Sequence, residues 1–280
     1  MYEPKFRRAM SVAIDRNRIN EVAALGLAKP RAFALSPESP EFQTPEGKKV
    51  YEAWSTSYAQ YDPEQAMKWL DEVNVKDVDG DGFREQPNGN KLELLVEIPT
   101  SDKKSIDSME LVKENWEKVG LKTTIITLAA DVIDQHSAAG ELMIRAWGSA
   151  AAWGLVSAPP VWAPVEGVSY CGGGQRIGLY YQTAGAQGIA PREGSMLEKM
   201  QKLYTEVISI ADPKARDAKL LEIYQVHIDE GPVTLGTIGE HPSPIIVGKN
   251  LANIPANGLV ASWDLGYPGT ADPEQFYFKS

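Results

Sequence analysis

Three of the chain's seven tryptophans, Trp147, Trp153 and Trp162, fall within sixteen positions of one another. They lie in the stretch 141–170, ELMIRAWGSAAAWGLVSAPPVWAPVEGVSY, which opens like a buried strand and runs through Arg145 into Trp147. Small residues and prolines follow, and these continue neither a helix nor a central strand. Indoles on an irregular loop of a rigid scaffold can stack on a flat, weakly polar ligand, and in a large domain they can equally be core. Strand alternation puts Met143, Arg145 and Trp147 on one face. Arg145 therefore joins Trp147 as a candidate ligand contact, with Trp153, Trp162 and Tyr170 next.

Other residues with chemistry to offer are more scattered. Residues 77–85 read DVDGDGFRE, and Asp77, Asp79, Asp81 and Gly82 match the first half of a calcium loop of the EF-hand type. The twelfth position of such a loop would be Asn88 where a bidentate Glu is needed, and no second helix follows. A tight acidic turn between a helix and a strand is the better reading, with calcium at Asp77, Asp79 and Asp81 as the lesser one. His136, His227 and His241 have no metal-ligand spacing, and His227 falls on the inner face of a helix, as a satisfied core residue would. There is no GxSxG elbow, and no two carboxylates are paired by the sequence across a cleft. Cys171, the sole cysteine, lies in the glycine run 170–174 without an evident base. That run lacks the Lys-Ser/Thr of a phosphate-binding loop.

At 280 residues the chain can bury a large core as one or two domains. A formal charge of −10 leaves no basic surface for nucleic acid. One cysteine excludes an intrachain disulfide, which suits cytoplasm or a large extracytoplasmic domain. No apolar run approaches the roughly 20 residues of a membrane span. The start, MYEPKFRRAM, does not read as a signal peptide and enters helical pattern abruptly, as a piece of something longer would.

Phe6, Met10, Ala13 and Ile14 define one helical face, and Asp15 caps a second helix that Gly26 closes. Residues 29–58, rich in Pro, Ser and Glu, read as an ordered surface loop with some helical turns. Asp62-Pro63-Glu64-Gln65 starts a helix whose buried face is Ala66, Trp69, Leu70 and Val73. Leu92, Leu94, Val96 and Ile98 alternate as a half-buried strand. A helix over 102–119 and a β-branched strand over 121–128 complete a βαβ unit. A short helix near 131–138 leads back to the tryptophan stretch. Two amphipathic helices, 195–210 and 212–229, end at Gly231-Pro232. Strand-like runs at 233–238 and 245–247 and a turn-rich tail follow.

Several stretches together resemble the family 5 extracellular solute-binding proteins of bacterial ABC importers, the dipeptide and oligopeptide-binding type. Phe6 to Arg16, FRRAMSVAIDR, is similar to that family's FRqAlsyAiDR helix pair. Tyr61-Asp62-Pro63-Glu64-Gln65-Ala66 through Leu70 is similar to its YDPekAkaLL helix. Asp79-Gly80-Asp81-Gly82 through Glu85, then Asn88-Gly89 and the strand 92–96, resemble its dGDGvre…dGkplel hairpin. Trp116 through Gly120-Leu121-Lys122 resembles l.kiGikv. The motifs keep their order and spacing over about the first half of the chain, and in the family they belong to the second half of a protein about twice as long.

The resemblance implies an α/β fold, a lobe of the type II periplasmic-binding-protein kind, with a mixed sheet flanked by helices. Residues 1–248 would be the second, C-terminal lobe, and 249–280 a tail returning to the first. The implied function is the substrate-binding component of an ABC importer: two lobes close on a solute outside the cytoplasmic membrane, in the periplasm or anchored as a lipoprotein, and deliver it to a permease. No enzyme activity and no cofactor are implied, and the expected state is a monomer that binds no nucleic acid. In peptide-binding members an Asp follows the strand's Trp within a few residues and pairs with the peptide's amino terminus. Here Gly148-Ser149-Ala150-Ala151-Ala152 follow Trp147, with no carboxylate before Glu166, and an ammonium buried without a partner is costly. An oligosaccharide is therefore the favoured solute, and the tail 262–268 with Phe276-Tyr277-Phe278 resembles sugar-binding members. An oligopeptide is the alternative. A glycosidase or a protein-interaction module with a tryptophan patch is a remoter one.

Overall fold

The computed structural model describes residues 3–148, 155–156, 158–240, 246–256 and 272–279. The chain opens with α1 (Pro4–Val12) and α2 (Arg16–Ala24), and Phe6, Met10, Ala13 and Ile14 are all buried. Asp15 caps α2 by accepting the Arg18 N–H at 3.1 Å. Leu25 and Gly26 both take positive φ at its end, where the Gly26 N–H returns to Asn20 O.

Residues 29–58 hold more structure than a surface loop. They contain β1 (Lys29–Pro30), a 3-10 turn at Pro40–Phe42 and a twelve-residue helix, α3 (Pro45–Thr56). Thr44 caps α3 through the Gly47 N–H at 3.0 Å, and Pro45 occupies the first turn. Gly47 passes so close to the preceding turn that a Cβ there would lie 2.1 Å from Glu41 O. Phe42 and Trp54 are buried, so the segment is core rather than cover.

α4 (Pro63–Glu72) starts on the Asp62 cap, which accepts the Gln65 N–H at 2.9 Å. The acidic turn leads into β2 (Glu93–Pro99), which α5 (Lys103–Lys118) connects to β3 (Lys122–Leu128). β2 and β3 pair in parallel from Glu93↔Lys122 to Pro99↔Leu128, the expected βαβ unit. α6 (Ala130–Ala139) then returns the chain to β4 (Ile144–Arg145), which pairs in parallel with the other side of β2. The sheet order is β3-β2-β4.

Next come α7 (Pro159–Trp162), α8 (Gln175–Gln182), α9 (Met196–Ile208) and α10 (Pro213–Glu230). β5 (Ile238–Gly239) pairs antiparallel with β1, and β6 (Leu251–Ala252) with β7 (Tyr277–Phe278). The α/β class is as expected. The three-stranded sheet is parallel throughout and not mixed, and the antiparallel pairs β1–β5 and β6–β7 form separate two-stranded pieces. Of the strand-like run 233–238 only Ile238 lies in a strand, and Ile246 and Val247 lie in neither helix nor strand.

Two apolar clusters hold the fold. One joins α1, α2, α4 and α5 to the Leu94, Val96, Ile98 face of β2. The other joins Phe42 and Trp54 to Leu155, Trp162, Val165 and the inner faces of α9 and α10. Arginines of the first helices tie the two together. Arg7 Nε donates to Pro232 O at 2.7 Å, and Arg8 Nε to Gly231 O at 3.2 Å. Arg16 is buried, and its guanidinium donates to Ser11 O, Ala59 O and Gly236 O. Desolvation lowers its pKa to about 10, so it stays charged at neutral pH and must keep those acceptors.

Candidate functional site

The strand carrying Trp147 alternates as its sequence requires. Ile144 and Ala146 pack on the first core, while Met143 and Trp147 are exposed on the other face. β2, β3 and β4 run in parallel, so the segments after Pro99, Leu128 and Arg145 gather at one end of the sheet. That carboxyl end is where open α/β sheets bind ligands.

Arg145, Trp147 and Tyr170 meet there. The Trp147 and Tyr170 rings stack with centroids 5.9 Å apart and planes at 29°. The Arg145 guanidinium lies 5.0 Å from the Trp147 ring centre, within cation–π range. Both rings keep much of their surface in solvent, 44% for Trp147 and 43% for Tyr170. Asp134 on α6 accepts from Arg145 Nη1 at 2.7 Å. Burial raises the Asp134 pKa, but hydrogen bonds from Ser169 and Arg145 outweigh it and hold the carboxyl below its usual range.

Asp102 caps α5 through the Ser105 N–H at 3.1 Å and also accepts the Gly148 N–H at 2.9 Å. It thus fastens the backbone just after Trp147 to the end of β2. Desolvation raises its pKa, and the Ser105 and Gly148 hydrogen bonds more than reverse that. Asp134, Ser169 and Asp102 carry no pattern in sequence that points to this site. Asp102 was legible as a helix cap, but its bond to Gly148 spans 46 positions and is a tertiary contact.

Trp162 does not join the cluster. It is 1% exposed, stacked on Phe33 at 4.7 Å and met edge-on by Trp54 at 5.6 Å. A ligand cannot reach a ring so enclosed, which corrects its place among the candidates. Trp153 lies outside the described residues, as do His241 and the 262–268 part of the tail.

The acidic turn is confirmed as a turn, with the N–H groups of Gly80 and Gly82 donating to Asp77. Asp77, Asp79 and the buried Glu85 offer carboxylate oxygens within 4.8 Å of one another. Lys91 supplies positive charge from within the chain, with Nζ 2.5 Å from Asp79, 2.7 Å from Asp81 and 3.5 Å from Glu85. Asp81 is a partner of Lys91 and does not belong to the converging set.

The residues considered for catalysis are quiet. His227 is enclosed and donates from Nε2 to Trp162 O at 2.8 Å, and desolvation lowers its pKa to about 4, so it is neutral at pH 7. It is the satisfied core residue that its helix position suggested. His136 donates from Nδ1 to Glu97 at 2.9 Å. Burial pushes the Cys171 thiol up to about 12, far from a nucleophile's range.

Solved structures carry the same architecture. The oligopeptide-binding protein OppA covers the whole chain with a TM-score of 0.78 at 29% identity. The periplasmic binding protein MelB of Agrobacterium fabrum C58, in complex with stachyose, covers 90% of it with a TM-score of 0.66 at 20% identity. The fold is that of the type II periplasmic binding proteins.

The sequence profile of the bacterial extracellular solute-binding proteins, family 5 (middle region), matches residues 1–164. The chain belongs to that family. A curated relative, the periplasmic alpha-galactoside-binding protein of Rhizobium meliloti (strain 1021), is 26% identical over 258 residues, 89% of this chain. The chain spans 34% of that relative's length and 44% of OppA's. No helix among the described residues is long and apolar enough to cross a membrane.

Proposed function

We propose that this chain is the second lobe of the substrate-binding component of an ABC importer, and that its solute is an oligosaccharide. Residues 1–248 form the lobe, and 249–280 reach back to the first lobe. The described tail residues enter neither apolar cluster, and Phe278 is 79% exposed, which suits a segment whose packing partner lies elsewhere in the protein. Affinity comes from closure of the two lobes over the solute outside the cytoplasmic membrane, and the closed monomer presents it to the permease.

The observation that carries the solute assignment is the exposed Trp147–Tyr170 pair with Arg145 at the carboxyl end of the sheet. Sugar ring faces stack on such surfaces, and hydroxyls pair with the polar groups around them. Asp134 is already engaged by Arg145 and Ser169, and no carboxylate follows Trp147 before Glu166. The carboxylate that would pair with a peptide's amino terminus is absent from the positions just after Trp147. The alpha-galactoside-binding relative and the stachyose-bound MelB agree with this reading. The enclosed His227 and the high Cys171 pKa support binding without turnover.

An oligopeptide solute is the second reading, favoured by the overlap of the whole chain with 44% of OppA. A thermal-shift screen of the full-length protein against galactosides, other oligosaccharides and di- to pentapeptides separates the two. Ligand at a hundred times its dissociation constant adds about 2.7 kcal/mol of stability. Stabilisation by sugars alone is expected, whereas stabilisation by peptides alone would reverse the assignment.

A further inference from the structure

The aromatic pair is held by a chain of contacts drawn from three segments. Arg145 donates to Asp134 at 2.7 Å and lies over Trp147, and Trp147 stacks on Tyr170. Asp134 is the member carried by α6, and it anchors the chain of contacts. The Arg145 side chain is 12% exposed and its Nε has no hydrogen-bond partner among the described residues, so the Nη1 bond is its polar anchor there. Asp134 is its single ion-pair partner among the described residues. A carboxylate that accepts from a guanidinium fixes the place of that group, and with it the place of the ring the group lies over.

We propose that Asp134 is a positioning residue for solute recognition: through Arg145 it sets the separation and tilt of the Trp147–Tyr170 pair that meets the sugar. This rests on the reading of that pair as the solute face. Asp134→Asn removes the charge that Arg145 pairs with and replaces one acceptor oxygen by an amide donor. The rings then lose their register although the fold is kept, because Asp134 is half-exposed.

The test has two readouts in the full-length protein. The first needs no ligand: the near-UV circular dichroism of Trp147, taken as the difference between each background and its W147F variant. Asp134→Asn should change that difference spectrum at an unchanged melting temperature, and an identical spectrum would overturn the proposal whatever the solute is. The second is a double-mutant cycle on affinity, with stachyose as the first probe and otherwise the sugar of largest thermal shift. D134N should weaken binding about tenfold alone and have little effect in a W147A background, since coupled residues are non-additive. Equal losses in both backgrounds would mean that Asp134 does not act through Trp147. Wild-type affinity in W147A would instead refute the solute-face reading, leaving the spectrum to decide the role of Asp134.

Discussion

Trp147 and Trp162 leave one stretch of chain fifteen residues apart and end in opposite surroundings. Trp147 sits beyond a parallel strand with a cation and a phenol for neighbours and solvent over much of its surface. Trp162 closes a four-residue helix against Phe33 and Trp54, and its backbone carbonyl receives the His227 proton. The same side chain stays open to solvent in one place and is packed away in the other, and the elements brought against it decide which. Around Trp147 the neighbours are few and polar. Around Trp162 they come from α3, α9 and α10 and leave no opening.

The largest expected effect lies on the packed side. Trp162→Ala should cost about 3–5 kcal/mol of stability in denaturant unfolding, as large-to-small core changes do. A loss below 1 kcal/mol would show that the second core does not depend on it. The enclosed His227 sharpens the same point through pH. Its pKa falls from 6.5 to about 4 on folding, so between those values the unfolded chain binds more protons than the folded one. Its contribution is complete above about pH 6.5 and is lost as pH falls through 4, on the order of 3 kcal/mol in all. His227→Gln should flatten that part of a stability-against-pH curve, and an unchanged slope would mean that the histidine titrates normally.

The exposed side should respond in binding and not in stability. Trp147→Ala should weaken sugar binding by about 1–3 kcal/mol in calorimetry if the indole stacks on a ring, with unfolding free energy changed by less than about 0.5 kcal/mol. Loss of stability without loss of affinity would make Trp147 a packing residue after all. The smallest change should come from Ser169→Ala, which removes one hydroxyl from the Asp134 contact and should cost about 1 kcal/mol of affinity or less. A loss as large as that of Trp147→Ala would place Ser169 on the solute directly.

Much of the fold is legible in the sequence. Asp15, Asp62 and Asp102 announce their helices by local hydrogen bonds within three residues, and the 92–98 alternation states which face of β2 is buried. α3 was not legible. Its Thr44-Pro45 start is a sound signal, but it stands among prolines, serines and glutamates that read as loop, and Trp54 is buried by Trp162 and by Tyr224 and His227 of α10. The 141–170 stretch was half legible. Alternation placed Arg145 with Trp147, and nothing local could say that Tyr170 folds back to them or that Trp162 turns inward. Those outcomes depend on Asp134 and Phe33, which stand far away in sequence.

The most direct measurement is oxidation of the full-length protein by N-bromosuccinimide with and without sugar, each tryptophan followed by peptide mass spectrometry. Trp147 should oxidise early and be protected by a saturating oligosaccharide, while Trp162 stays intact until the protein unfolds. If sugar leaves Trp147 as reactive as before, or if Trp162 is the residue it protects, the solute does not lie on the Trp147–Tyr170 pair and the central assignment is wrong.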